Sequence, residues 1–175
     1  MGEGEGVRLS PDELFLEMCV LVSSRGTCLR AQVGAVIVQD RRVVSMGYNG
    51  APPGLPHCTE VGCDPDIELF ARYRAIGIEP AREKALMDGG CHRAIHAEAN
   101  AIAWAARHGT KLFGATMYCT YSPCQKCAEL ILSAGIGRFV YAKSYRAKRL
   151  DLLRSIEVCQ IPEKELTKSK KAPSA

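Results

Sequence analysis

Two short runs hold the residues best suited to chemistry: His96-Ala97-Glu98, and Pro123-Cys124-Gln125-Lys126-Cys127 further along the chain. Spacing of three places Cys124 and Cys127 on one face of a helical turn, so that their sulfurs can meet one metal ion. Ser122 reads as the cap of that helix and Pro123 as its first residue. Such a start aims unpaired backbone N–H groups and the positive end of the helix dipole at the thiols, favouring the thiolate that zinc requires. His96 opens the preceding helix in the same way, so three ligands converge from two helix starts. Three protein ligands leave the fourth position of a tetrahedral zinc for water, whose pKa the metal lowers to roughly 7. Glu98, two residues past His96, is placed to move that water's proton and poorly placed to ligate the metal.

The same residues admit other readings. A Cys-x-x-Cys at a helix start also describes a thioredoxin-like redox pair, but proline here precedes the pair, and redox chemistry leaves His96 and Glu98 without a role. A closed structural zinc needs a fourth ligand, for which Cys119 and His92 are the nearest candidates. A zinc-stabilised binding module without turnover has no use for an acid beside an open metal position, and Glu98 argues against it.

The elements that must position these residues can be read on either side of them. Ser10-Pro11-Asp12-Glu13 is a capping box with proline at the first helical position, so a helix should run to about Ser24. Its apolar stripe is read as Leu14, Met18, Leu21 and Val22. Val33–Val38 and Arg42–Tyr48 are β-rich runs around Gln39-Asp40-Arg41, a hairpin signature. From Asn49 to Gly90 the pattern breaks into Pro, Gly and Cys, with short helices over Ile67–Ile76 and Pro80–Met87. Beyond it come a helix (His96–Arg107), a strand (Ala115–Cys119), a helix (Pro123–Ala134), a strand (Arg138–Tyr141), a helix (Ser144–Arg154) and a short strand (Glu157–Ile161). This alternation predicts a mostly parallel sheet: an α/β fold, a three-layer α/β/α sandwich on a five-stranded mixed sheet. The reading is one domain over residues 1–162, with a Cys-rich insertion at about 49–91 and a basic, disordered tail at 163–175.

Composition agrees with an ordinary globular protein: 175 residues, 47% apolar, 24% charged, net charge +4. No apolar run is long enough for a membrane helix, so no membrane partner is expected. The start, Met1 to Gly6, lacks the basic flank and apolar core of a secretory signal, which points to the cytoplasm. Nine cysteines in such a chain are better explained by metal, catalysis or burial than by disulfides. The basic runs Lys164–Lys171 and Arg138–Arg154 do not make a nucleic-acid groove.

With these residues in place the chain resembles the deoxycytidylate (dCMP) deaminases of the cytidine-deaminase-like superfamily, of late-competence and phage type. The likeness covers roughly Leu14 to Pro162. It rests on Val33-Gly34-Ala35, Gly47-Tyr48-Asn49-Gly50, His96-Ala97-Glu98-Ala99-Asn100-Ala101, Ser122 to Ala128, and Ala134-Gly135-Ile136. It implies zinc-dependent hydrolysis of dCMP to dUMP and ammonia, with zinc on His96, Cys124 and Cys127. Glu98 would pass the proton to the ring nitrogen and then to the leaving ammonia. Asn49 would read the nucleotide, with Tyr145 and Arg25 suited to its phosphate. Ala99 departs from the larger apolar residue usual after the glutamate, and Trp104 is expected to fill some of that volume. Alternatives on the same chemistry are dCTP, a 5-substituted dCMP, or a tRNA adenosine. The last would need a basic, aromatic-bearing surface, and no nucleic-acid partner is expected.

The resemblance also implies an additional, structural zinc. Cys28, Cys58, Cys63 and Cys91 are the expected ligands, with His57 or His92 as substitutes. It further implies a hexamer activated by dCTP and inhibited by dTTP, magnesium accompanying the triphosphates. The parts offered for that effector site are Arg30, Asn49, Gly50 and Arg107.

Overall fold

In the computed structural model of the chain the described residues are 8–61, 94–145 and 149–163. Cys63, Cys91, His92, the two short helices expected in the insertion and the tail from residue 164 lie outside them. So do Met1 to Gly6.

Helix α1 (Pro11–Ser23) begins on the capping box read from the sequence. Ser10 Oγ accepts the Glu13 N–H at 3.3 Å, and Glu13 returns a carboxylate oxygen to the Ser10 N–H at 2.7 Å. Its buried face corrects half of the expected stripe: Phe15, Leu16 and Cys19 are buried and Met18 and Val22 pack against that cluster, whereas Leu14 is 45% and Leu21 73% exposed. The helix is apolar on most sides, so two stripes of helical period overlap in it, and only packing against the sheet selects one.

Strands β1 (Gly34–Gln39) and β2 (Arg42–Tyr48) form the expected antiparallel hairpin. The turn is tighter than Gln39-Asp40-Arg41. Gln39 pairs with Arg42, and Asp40 and Arg41 alone take positive φ (51° and 62°), as a two-residue turn matching strand twist requires. After helix α2 (Cys58–Val61) come α3 (Ala97–Arg107), β3 (Thr116–Tyr121), α4 (Gln125–Ser133), β4 (Arg138–Lys143), a 3₁₀ turn (Leu150–Leu153) and β5 (Glu157–Gln160). Of the helix expected over Ser144–Arg154, residues 146–148 lie outside the described residues, and the described ones form only that 3₁₀ turn. The Arg149 N–H bonds to Pro123 O at 3.2 Å and its guanidinium grips Asp151 and Gln125, which ties the segment to the loop before α4.

The five strands lie in the order β2-β1-β3-β4-β5. β1 pairs antiparallel with both β2 and β3, while β3, β4 and β5 run parallel. The sheet is therefore mixed, as expected, although two of its four strand pairings are antiparallel where the alternation alone suggested mostly parallel ones. The β2–α3–β3 crossover does join parallel strands, but β1 lies between them and is antiparallel to each. Alternating side chains serve both faces. Ala35, Ile37, Met117, Cys119, Phe139 and Tyr141 pack under α3 and α4, and Val36, Val38, Tyr118, Val140 and Ala142 under α1. Helices thus cover both faces, giving the three layers.

Two further contacts set the frame. A bidentate pair joins Arg138 to Asp12 at 2.7 and 2.8 Å, and the Tyr118 hydroxyl donates to the same carboxylate at 2.7 Å, fastening the start of α1 to β3 and β4. On the other face α3 lies almost on the backbone of β2. A Cβ at Gly47 would stand 2.4 Å from Ala97 O and 2.5 Å from Ala101 N. Ser45 Oγ donates to Ala101 O at 2.6 Å, and Asn100 Nδ2 to Tyr48 O at 2.9 Å. These bonds fix where the first turn of α3 sits.

Candidate metal centre and active-site cavity

Both helices that bring chemistry to the site begin on a ligand-type residue. His96 is the N-cap of α3 and Cys124 that of α4, each with extended backbone (ψ 154° and 173°) and neither with a side-chain capping bond. This moves the expected start of α4, since Cys124 takes the capping position given to Ser122. Ser122 Oγ instead accepts the N–H of Tyr145 at 2.7 Å, joining the end of β3 to the end of β4.

Freed from capping, the side chains meet one another. His96 Nδ1 lies 3.4 Å from both Cys124 Sγ and Cys127 Sγ. Bond lengths of about 2.0–2.1 Å to nitrogen and about 2.3 Å to sulfur, at tetrahedral angles, put an N···S edge near 3.5 Å, so the three donors are spaced to hold zinc. Among the described residues they form the one cluster of three that can bind a metal. Cys119, considered as a fourth ligand, is outside that group and fully buried in the core under α3 and α4.

Electrostatics follow from this crowding. Hydrogen bonding from Cys127, opposed by burial and helped by His96, brings the Cys124 thiol down to about 4. The Cys127 thiol moves up, because it donates to Cys124, is buried, and faces Glu98. His96 is shifted up, first by its bond to Cys124. Glu98 sits in the first turn of α3, buried, and burial raises its pKa. A carboxyl held towards the protonated form in a dry site can both accept and return a proton.

Beside these groups opens a cavity of roughly 290 Å³. His96, Glu98 and Cys124 line it, and so do Asn49, Tyr145, Cys28 and Arg30. Arg25 does not line it: its backbone closes the end of α1 on Val22 O, and the residue is exposed. Gly50 is also outside the lining; it exchanges hydrogen bonds with Ile95 at 3.2 and 2.9 Å, tying the loop after β2 to the residue before His96. Arg107 lies at the far end of α3, 5.9 Å from the centre of the Trp104 ring. Trp104, expected to fill volume near Ala99, is 51% exposed and lies with its ring tilted against His108, the centroids 4.4 Å apart. Of the cysteines expected in the additional zinc site, Cys58 is buried and Cys28 faces the cavity.

Tyr121 is a lining residue that the sequence reading missed. It ends β3 one residue before Ser122, and Lys143 lies against its ring, 5.7 Å from the centroid. Nothing in local spacing marks a strand-end tyrosine as cavity-facing, because that is settled by tertiary packing.

Comparison with known proteins agrees with the site. Residues 9–143 match the family model of the cytidine and deoxycytidylate deaminase zinc-binding region. The deoxycytidylate deaminase of Enterobacteria phage T4 is 34% identical, over 87% of this chain and 91% of that protein. That of Mycobacterium phage D29 is 40% identical, over 75% of this chain and 94% of the phage protein. Among solved structures, the dCMP deaminase of cyanophage S-TIM5 in complex with dCMP and dUMP superposes with a TM-score of 0.68 at 26% identity, covering 88% of this chain and 100% of that one. Metal-donor spacing, a buried carboxyl and the family match over most of the chain lead to one conclusion: the chain belongs to the cytidine and deoxycytidylate deaminase family.

Proposed function

We propose that this protein is a zinc-dependent deaminase that hydrolyses dCMP to dUMP and ammonia. The observation that carries this reading is the meeting of His96, Cys124 and Cys127 at 3.4 Å beside buried Glu98 in one cavity. In this reading His96, Cys124 and Cys127 hold zinc, and the chemistry a bound zinc supplies is activation of water at neutral pH. Glu98 takes the proton of the attacking water on its carboxylate. It delivers that proton to the ring nitrogen beside the amino-bearing carbon, then carries the second proton to the departing amine, so that water and cytosine become uracil and ammonia. Tyr145 and Asn49, which line the cavity, face the nucleotide. The likeness to the phage deoxycytidylate deaminases favours dCMP over the other cytosine nucleotides and over a tRNA adenosine. Ammonia release measured side by side on cytidine, dCMP, dCTP and an anticodon stem-loop tests it; turnover of the stem-loop alone would overturn it.

The reading extends to an additional zinc held by Cys28, Cys58, Cys63 and Cys91, the last two outside the described residues. Burial of Cys58 supports a structural role for that cysteine. It extends also to a cytoplasmic homohexamer that dCTP activates and dTTP inhibits, with magnesium on the triphosphates. Family likeness is the support for that regulation, and Arg107, at the far end of α3, would have to act outside the cavity. Among the described residues no helix is long and apolar enough to cross a membrane.

A further inference from the structure

A capping side chain ordinarily fixes how the chain enters the first turn of a helix. Cys124, the N-cap of α4, makes no such bond, because its sulfur is turned towards His96. The residues on either side of it are held instead, and both by Arg149. The Arg149 main-chain N–H donates to Pro123 O at 3.2 Å, and its guanidinium Nη1 donates to Gln125 Oε1 at 2.9 Å. The other end of that amide, Gln125 Nε2, donates to Glu129 Oε1 at 3.0 Å, one turn further along α4, so the glutamine joins the arginine to the helix. One residue, from a segment distant in sequence, thus brackets Cys124.

Arg149 is itself fixed. Its Nε and Nη2 donate to the two carboxylate oxygens of Asp151 at 2.9 and 3.0 Å, a fork on a fork. That pair is largely in solvent and adds little stability of its own; what it does is aim the remaining guanidinium nitrogen at Gln125. The 3₁₀ turn behind it is anchored in the core. Leu153 is buried, and Leu150 and Leu152 pack against the cluster that contains Ala128 and Ile131 of α4. Arg149 does not line the cavity, so what it does to the site it does through the residues around Cys124. A ligand held in place before the metal arrives loses less freedom on binding it, and loss of such a support typically costs about 10- to 100-fold in metal affinity or activity.

We propose that Arg149 is a positioning residue for the metal ligand Cys124, acting through Gln125 in place of the missing helix cap, and that it sets how firmly the site keeps its zinc. This rests on the zinc-site reading above. The test places the zinc-loaded protein in excess pyridylazoresorcinol and follows zinc release and the loss of dCMP deamination together. The phase of release that runs with the loss of activity belongs to His96, Cys124 and Cys127. In Arg149→Ala that phase should be about 10-fold faster, the lower end of the range, because the bonds lie partly in solvent. Arg149→Lys keeps the charge but cannot hold Gln125 and Asp151 at once, and should release zinc nearly as fast. Gln125→Ala should also quicken release, and the Arg149→Ala/Gln125→Ala double variant should be no faster than Arg149→Ala. With zinc in excess, KM for dCMP should stay at the wild-type value in all of them. Asp12→Asn, which weakens a bond network on the opposite face of the sheet, should release zinc at the wild-type rate. Wild-type release from Arg149→Ala, or equally quickened release from Asp12→Asn, would overturn the proposal, the latter by reducing it to general stability. Effects of Arg149→Ala and Gln125→Ala that multiply would overturn the route through Gln125. A raised KM with unchanged zinc release would place Arg149 on the substrate instead. A wild type in which no phase of zinc release runs with activity would refute the zinc-site reading itself, and is seen before any variant is made.

Discussion

His96 Nδ1 and Cys124 Sγ lie 3.4 Å apart although 28 residues separate them in the chain, and each is the N-cap residue of its own helix. The cap position is ordinarily filled by a side chain that satisfies the free N–H groups of the first turn. Here both caps turn their side chains towards a shared point. The helices are held by the sheet, and the side chains at their starts are left free to hold a metal.

Removing one donor should therefore cost metal before it costs fold. Cys124→Ser and His96→Ala are expected to lose one zinc equivalent and essentially all deamination, with the far-ultraviolet circular dichroism of the sheet and helices retained. Metal analysis of the purified variants checks this, and undiminished zinc in either would refute the ligand set.

Glu98→Gln keeps the size of the side chain and removes its proton chemistry. Zinc content and fold should stay as in the wild type, while kcat on dCMP falls by about 10²- to 10⁴-fold, the range for a lost general acid–base. Steady-state kinetics read the change, and turnover within a few fold of the wild type would rule out the role.

Total zinc tests the additional site. The purified protein should contain about two zinc ions per chain, and Cys58→Ser about one, with the dCMP site still occupied. One zinc per chain in the wild type, with Cys58 open to alkylation, would remove that site from the proposal.

Asp12 gives a pH signature unrelated to catalysis. Arg138, bonded through its two terminal guanidinium nitrogens, holds the Asp12 carboxyl below the ordinary aspartate value of 3.8, partly offset by burial. Because the folded-state pKa is the lower one, this stabilisation is fully present above about pH 4 and is lost as pH falls through the folded value. The pair is a quarter exposed, so solvent screening keeps its worth to about 1–2 kcal/mol. Asp12→Asn should thus be less stable by about that amount at pH 7 in urea unfolding, and the gap should narrow as pH falls below the ordinary aspartate value of 3.8. A gap that widens in acid would contradict the sign.

Gly47 offers a steric test of how α3 is seated. Gly47→Ala drives a methyl to within 2.5 Å of the backbone at Ala97 and Ala101, and the helix must move or the strand must bend. Overpacking of this kind costs about 1–3 kcal/mol, and displacement of the turn that holds Glu98 should also lower kcat. A variant as stable and as active as the wild type would show that α3 is not held where the structure has it.

The parts of this protein legible from sequence are those in which local spacing decides the outcome. A capping box needs only Ser10 and Glu13, and a hairpin needs two β-rich runs around a short polar link. The meeting of His96, Cys124 and Cys127 needs only two helix starts, so their convergence can be anticipated. What escapes is settled by tertiary packing. The face that α1 buries depends on which of two apolar stripes meets β1 and β3, so Phe15 and Leu16 displaced Leu14 and Leu21. Ser122 and Cys124 can both cap α4 on paper, and the claim of the Tyr145 N–H on Ser122 Oγ decides between them. Arg25 and Arg30 are equivalent in composition, and that Arg30 lines the cavity while Arg25 does not is settled by the path of the chain between α1 and β1.

Trp104, the one tryptophan of the chain, stands half in solvent against His108 and beneath the Arg107 guanidinium. Its fluorescence in the folded protein is that of a partly hydrated indole, so unfolding will shift the emission little and can dim or brighten it as the histidine contact is lost. It lies eight residues along α3 from His96, about 12 Å at the helical rise per residue, on the outer surface. Intrinsic emission therefore reports on a patch of surface remote from the cavity. Nucleotide titrations on this enzyme call for a signal from the base itself, the loss of cytosine absorbance, in place of the protein's own light.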